Sequence, residues 1–181
     1  MIHKGTKYLE TERLILRKFN VNDAQKMFDN WATNSNVTKF LTWQPHANVE
    51  ITKAVLNDWI SKNNEYNFYQ WAIVIKDKNE PIGSLSVVRI NEDVNETEIG
   101  YCIGEQWWGQ GFTAEAFKRV IDFLFNEVGV KRICAKHDVN NPNSGKVMVK
   151  CGLKHEGTLK RAGKNNDNNA CDLAIYSILN Y

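Results

Sequence analysis

The chain has 181 residues, of which 43% are hydrophobic and 24% are charged, and its formal net charge at pH 7 is +2. This composition is near the average of globular proteins and excludes the disordered, collagenous and disulfide-scaffold classes. A net charge so close to zero gives no support for nucleic-acid binding.

The N-terminal half is predicted to form one strand, two helices and then a three-stranded meander. Alternating apolar and polar residues favour a strand at 14–19, and Asp23 is expected to cap a helix over residues 24–31. A second amphipathic helix follows Pro45. Three extended segments then succeed one another across polar turns, at 69–76, 82–90 and 97–103. Such close spacing is typical of antiparallel strands.

The C-terminal half begins with a glycine-rich turn, residues 104–111, which leads into the most strongly amphipathic helix. The apolar stripe of that helix continues to Val128, and Gly129 is expected to end it. A strand at 132–139 follows at once. We therefore expect one right-handed βαβ crossover, which places this strand parallel to residues 97–103 in the same sheet.

The remaining segments are predicted to complete a mixed sheet. A short helix is expected over 144–150, followed by extended stretches at 153–159 and 172–179 with a polar loop, 162–169, between them. Together the elements predict an α+β fold: a mixed, mainly antiparallel sheet with one parallel βαβ crossover and helices on both faces. The length fits a single domain over residues 1–181.

The sequence carries neither a membrane signal nor a metal signature. No apolar run approaches the roughly 20 residues that a transmembrane helix needs, and no apolar stretch follows Lys4 to form a signal peptide. The cysteines are widely spaced, without Cys-x-x-Cys or a histidine pair, so no metal site and no disulfide framework is expected. We expect a cytoplasmic protein with reduced thiols, three of them in the core, and with no membrane or nucleic-acid partner.

The turn from Gln106 to Thr113 has the pattern most typical of anion binding. Gly109 and Gly111 allow backbone conformations that other residues avoid. Its N–H groups can converge at the N-terminus of the following helix, where the macrodipole adds positive potential. Such an arrangement binds a phosphate group, most simply a pyrophosphate.

Three phosphate-binding patterns compete for this turn. A P-loop requires Gly-Lys-Ser/Thr, which is absent. The dinucleotide fingerprint is met in spacing by Gly109, Gly111 and Ala114, with Asp138 further on at a strand end. That fold needs successive parallel βαβ units, however, and only one is predicted, so a nicotinamide-dependent oxidoreductase is the less favoured alternative. The third pattern, Gln/Arg-x-x-Gly-x-Gly/Ala, begins here at Gln106.

On these residues the sequence resembles the GNAT superfamily of acyl-CoA-dependent N-acetyltransferases, and in particular its ribosomal-protein N-acetyltransferase branch. The resemblance extends over nearly the whole chain. Its matching segments are 11–17, 98–101, 106–116, 143–144, 150–153 and 172–179. It implies an acetyl-CoA-dependent enzyme, monomeric or homodimeric, that transfers acetyl directly to a primary amine in a ternary complex. The acceptor is either a protein N-terminal amine or a small-molecule amine.

The resemblance also implies how acetyl-CoA binds. Its pyrophosphate is expected on the backbone amides of the turn, and its pantetheine arm is expected to pair with the strand before the turn. Asn143 matches the family position that hydrogen-bonds pantetheine, and Lys146 lies one turn further along the same helix. The predicted cofactor-binding residues are Tyr101, Cys102, Ile103, Gln106, Trp108, Gly109, Gln110, Gly111, Phe112, Thr113, Asn143 and Lys146.

Acetyl transfer to an amine needs a base, because an ammonium with a pKa of about 8 to 10.4 must lose a proton before it attacks. Glu98, on the strand that leads into the turn, is the first candidate, and the alternative of a solvated strand carboxylate is equally open. Asp138, five residues before Asn143, is the second candidate. Glu96 and Glu156 remain open as well.

The acid that protonates the leaving thiolate is expected to differ from the one common in the superfamily. Many members use a tyrosine in the helix after the asparagine, but Met148 occupies that position here and cannot donate a proton. The resemblance to the ribosomal branch assigns the role to Ser144, whose alternative role is a helix N-cap.

The first helices, including Trp31, Phe40 and Trp43, are expected to line the acceptor side. A non-catalytic acyl-CoA sensor is the second hypothesis.

Overall fold

The computed structural model describes residues 1–181 as one eight-stranded sheet with helices packed on both faces. The strands are β1 (Leu9–Glu10), β2 (Leu14–Arg17), β3 (Gln70–Ile75), β4 (Glu80–Asn91), β5 (Glu96–Ile103), β6 (Arg132–Asp138), β7 (Lys154–Lys164) and β8 (Ala170–Leu179). The α-helices are α1 (Ala24–Met27), α2 (Ser35–Thr38), α3 (Val49–Ser61), α4 (Phe112–Phe123) and α5 (Pro142–Lys150). Both α1 and α4 continue into π-helical turns.

The sheet has the strand order β1-β2-β3-β4-β5-β6-β8-β7. Every neighbouring pair is antiparallel except β5 and β6, which are joined by the crossover through α4. The prediction of a mixed, mainly antiparallel α+β sheet with one parallel crossover is therefore confirmed. A dinucleotide-binding fold would need further parallel pairs, which this sheet does not have.

The sheet separates two hydrophobic cores because side chains alternate between the faces of each strand. On β3, Trp71 and Ile73 face α4, where they belong to the larger core around Phe117. Ala72 and Val74 face the other way and belong to the smaller core, which contains Trp31 from the π-turn after α1 and Leu56 from α3. The strands are thus held between two helical layers.

Three local expectations are corrected by the structure. Asp23 stands immediately before α1 but makes no side-chain cap hydrogen bond: Asn20 caps the preceding turn, and the Asp23 carboxylate accepts hydrogen bonds from the Asn20 N–H and the Arg17 guanidinium. The polar loop between the last strands is shorter than predicted, because β7 pairs with β8 as far as Lys164. Two of the four free cysteines are buried rather than three.

No helix has both the length and the apolar character to cross a bilayer.

Candidate active site

The loop between β5 and α4 presents a row of backbone N–H groups that have no acceptor within the protein. The unpaired groups run from Gly109 to Ala114, and the first N–H bonded within the helix is that of Glu115, which donates to the Gly111 carbonyl at 3.0 Å. Gly109 and Gly111 lie in the left-handed region, with φ of 76° and 84°. These free donors stand at the positive end of the α4 dipole, so the loop can bind an anion.

The sheet splits where this loop begins. The parallel pairing of β5 with β6 covers only three residues of β5 and ends at Glu98 opposite Cys134, whereas the pairing of β5 with β4 continues to Ile103. The N–H of Gly104 donates to β4, at the Ile82 carbonyl, and N–H directions alternate along a strand. The N–H groups of Tyr101 and Ile103 therefore point into the split, where an extended ligand can pair with them.

A cleft of about 350 Å³ joins the split to the loop. Its walls are the segment 36–41 around α2, the end of β5, the loop with the first turn of α4, and one side of α5. Ten of the twelve predicted cofactor-binding residues line it; the exceptions are Gln106 and Gln110. The Gln106 carbonyl accepts a hydrogen bond from the Gln110 side chain, which ties the loop to itself.

Ser144 and Tyr101 form a hydrogen-bonded pair on the cleft wall. The Tyr101 hydroxyl lies 2.9 Å from the Ser144 carbonyl oxygen and 3.0 Å from the Ser144 Oγ. A phenol has one proton, so when Tyr101 donates to the carbonyl, the Ser144 hydroxyl proton is left for Tyr101 or for a group in the cleft. Burial raises the pKa of Tyr101, which keeps this donor protonated.

Two more predicted residues share the α5 wall of the cleft. The Lys146 Nζ lies 3.3 Å from the Asn143 Oδ1, so the ammonium and the amide stand side by side one helical turn apart.

Cys102 faces the cleft from β5, and burial raises the pKa of its thiol. No histidine lines the cleft to activate this thiol, which therefore stays in its weakly nucleophilic form.

Glu98 lies at the apex of the split and outside the cleft wall. Its neighbours Thr97 and Ile99 are buried on the α4 side, so Glu98 faces the opposite side of the sheet. Its Oε2 accepts hydrogen bonds from the Lys136 Nζ at 2.8 Å and the Arg89 Nε at 3.2 Å. Two cations thus hold this carboxylate at the point where the strands separate.

The other candidate carboxylates are engaged in structural contacts. Asp138 is buried, and its Oδ1 accepts hydrogen bonds from the backbone and side chain of Asn140, which close the turn after β6. Glu96 bridges Arg89 and Arg132. Hydrogen bonds from Arg132, and a further one from a serine on β8, lower the pKa of Glu156 to about 2. Neither Asp138 nor these two glutamates lines the cleft.

The residues expected on the acceptor side separate in the structure. Phe40 lines the cleft, but Trp31 is fully buried in the smaller core, and Trp43 packs against that core outside the cleft wall. Asn36 and Lys150, which are not among the predicted cofactor-binding residues, also line the cleft. Lys150 is spaced four residues from Lys146 along α5, a helical repeat that could have identified it. No local signal marks Asn36, because α2 is a single turn.

A family model described as an acetyltransferase (GNAT) domain matches residues 13–154 of the chain. One similar relative is "Uncharacterized N-acetyltransferase p20" of Bacillus licheniformis, which is 31% identical over 152 residues; the match covers 84% of this chain and 85% of the relative. Another is the "[Ribosomal protein uS5]-alanine N-acetyltransferase" of Escherichia coli K12, 24% identical over 161 residues, with 84% of this chain and 80% of the relative covered.

A solved structure with a similar fold is that of the microcin C7 self-immunity acetyltransferase MccE in complex with acetyl-CoA and AMP. The two structures superpose with a TM-score of 0.83 over 94% of each chain, at 24% sequence identity. At this identity the likeness shows a common fold and nothing more specific.

Proposed function

The chain belongs to the GNAT acetyltransferase family, and on that basis we propose that it transfers an acetyl group from acetyl-CoA directly to a primary amine in a ternary complex. It is an acyltransferase, as are the N-acetyltransferases that it resembles. The observation that carries the choice of donor is the row of unpaired N–H groups from Gly109 to Ala114, which opens into the cleft at the split of the sheet. A diphosphate fits this row of donors.

In the proposed complex, the rest of the donor follows from the position of its diphosphate. The pantetheine arm would lie in the split and bond to the free N–H group of Ile103, with Asn143 on the facing wall, which leaves the N–H of Tyr101, nearer the apex, for the thioester. Lys146 would face the phosphates, and the thioester would lie near Ser144.

The proposed reaction forms one C–N bond and breaks one C–S bond. The neutral amine attacks the thioester carbonyl carbon, its nitrogen loses a proton, and the departing sulfur of CoA gains one. Glu98 is the base we favour, because it stands at the apex of the split while Asp138 is closed into a turn. Since Glu98 lies outside the cleft wall and is bonded to Lys136 and Arg89, it would take the proton through a water molecule. An N–H in the split, such as that of Tyr101, would stabilise the oxyanion.

Direct transfer is favoured over a covalent acyl-enzyme. Cys102 is the thiol on the cleft wall, and its raised pKa with no neighbouring histidine makes it a poor nucleophile. Ser144 is paired with a tyrosine rather than with a base. We therefore assign Ser144 to the leaving group: its hydroxyl would donate a proton to the CoA thiolate, or stabilise it by a hydrogen bond.

A thioester-cleavage assay over a panel of amines tests the proposed function. The panel contains four kinds of amine: peptides with a free N-terminus, N-blocked peptides whose only amine is a lysine side chain, polyamines, and amino sugars. We expect turnover with at least one primary amine, and a peptide α-amine has the advantage of a pKa near 8 rather than 10.4. Tight acetyl-CoA binding without turnover on any amine would favour the acyl-CoA sensor instead. A thermal shift with NADH and none with CoA would overturn the choice of donor.

The Ser144→Ala variant is expected to lower kcat by roughly 100-fold, the usual order for a lost general acid, while the KM for acetyl-CoA changes little. The diphosphate-binding loop is left intact, so donor binding persists. Initial rates at saturating acetyl-CoA measure the effect. Ser61→Ala, at the exposed end of α3, is the matched control and should retain full activity. Unchanged turnover in Ser144→Ala would refute the assignment.

A further inference from the structure

Arg13 contacts the glycine-rich loop from outside the cleft. It lies in the turn between β1 and β2, and its Nη1 donates a hydrogen bond of 3.1 Å to the Gln110 carbonyl oxygen. Its guanidinium carbon stands 4.3 Å above the centre of the Phe112 ring, the first residue of α4. Arg13 is not part of the cleft wall, so any influence on a ligand there must pass through the loop.

Glu115 holds the guanidinium in this position. Its carboxylate accepts the Arg13 Nε at 2.7 Å and the Arg13 Nη2 at 2.6 Å, and it also accepts the backbone N–H of Arg13. The Thr11 hydroxyl donates to the same carboxylate. Burial acts to raise the pKa of Glu115, but the hydrogen bonds from Thr11 and Arg13 outweigh it and lower the pKa overall. Glu115 therefore stays ionised and the arginine stays in place.

The contact with the Gln110 carbonyl fixes the direction of a neighbouring N–H. In a trans peptide, the C=O and the N–H of the same unit point in opposite directions. The Gln110 carbonyl and the Gly111 N–H belong to one peptide unit, and no peptide in the chain is cis. Because Arg13 draws the carbonyl away from the cleft, the unpaired Gly111 N–H is turned toward it.

We propose that Arg13 is a positioning residue for the donor: it locks the Gln110–Gly111 peptide so that the Gly111 N–H faces the diphosphate of the acyl donor. The proposal rests on the assignment of acetyl-CoA as that donor. Glycine at 111 has no Cβ to restrain the backbone, so without Arg13 this peptide unit could rotate and present its carbonyl oxygen to the anion. A carbonyl oxygen repels phosphate, whereas an N–H binds it.

Calorimetric titration with coenzyme A and with pantetheine, which lacks the diphosphate and the nucleotide, separates positioning from general damage. Arg13→Ala is expected to raise the Kd for coenzyme A about tenfold, equivalent to about 1.4 kcal/mol, and to leave the Kd for pantetheine within about twofold. Glu115→Gln, which keeps Arg13 but weakens its anchor, should show the same selectivity to a smaller extent. If Arg13→Ala does not melt cooperatively and is therefore misfolded, the Glu115→Gln variant is used for the test instead.

Arg119→Ala is the matched control, because it removes an arginine from α4 that pairs only with a helix neighbour, Asp122. Its Kd for both ligands should be unchanged. If Arg13→Ala raises the Kd for coenzyme A and for pantetheine by the same factor, Arg13 has only a structural role. If neither Kd changes, Arg13 has no role in donor binding. The titration needs no acceptor amine. A failure of the proposed acetyl transfer would therefore appear in the turnover assay and not here.

Discussion

Replacing Gly109 with alanine is expected to raise the KM for acetyl-CoA by about tenfold or more in a protein that still folds. Gly109 lines the cleft, and a Cβ built on it meets no atom within 4 Å. The methyl group would therefore occupy open space beside the free N–H groups, where a phosphate must come close to the backbone. Initial rates over a range of acetyl-CoA concentrations measure the effect.

Gly129→Ala is a closely matched control for this variant. Gly129 also has a left-handed backbone, with φ of 81° against 76° at Gly109, and its Cβ would likewise meet nothing within 4 Å. It ends the π-helical turn after α4, outside the cleft. Both variants bear a backbone strain of roughly 1–2 kcal/mol, so their melting temperatures should fall alike. Equal KM values in the two variants would show that the loop does not approach the donor.

Much of the fold could be predicted from the sequence, because its signals are local. The alternation of β2, the polar turns of the meander and the apolar stripe of α4 each lie within one segment. The misplaced cap comes from a local signal that was read at the wrong residue. Asn20 and Asp23 are both good cap residues, and they form a capping box in which Asn20 caps the turn and the Asp23 carboxylate accepts the Asn20 N–H. Only the further contact of Asp23 with Arg17 on β2 lies outside any helix pattern.

The loop of the site was predictable from its own residues because it depends on backbone, whereas Asn143, Ser144 and Lys146 on the cleft wall followed from the family resemblance. Gly109 and Gly111 indicate that the loop adopts a left-handed backbone conformation. The N–H groups of the loop are free because the first donors of every helix have no partner within the helix. The contacts that side chains make across the fold were not predictable, because they join residues far apart in sequence. Arg13 reaches Gln110, and Lys136 reaches Glu98, only once the sheet is assembled. The split between β5 and β6 is likewise a property of the twisted sheet rather than of either strand.

Phe117→Ala is expected to lower the free energy of unfolding by about 3–5 kcal/mol, the usual cost of a large cavity in a core. Phe117 is fully buried on α4 in the larger core. Its ring lies 5.5 Å from that of Tyr101, so the same cavity opens beneath the tyrosine that bonds Ser144. Urea unfolding followed by tryptophan fluorescence measures the loss.

Val94→Ala, which trims a side chain that is 57% exposed, should change the unfolding free energy by no more than about 0.5 kcal/mol and serves as the surface control. Phe117→Leu fills most of the cavity and should recover much of the stability. If Tyr101 depends on this packing, kcat should fall in Phe117→Ala at temperatures where the variant is still folded, and recover in Phe117→Leu. A stability loss below about 1 kcal/mol would mean that α4 does not anchor the site through this contact.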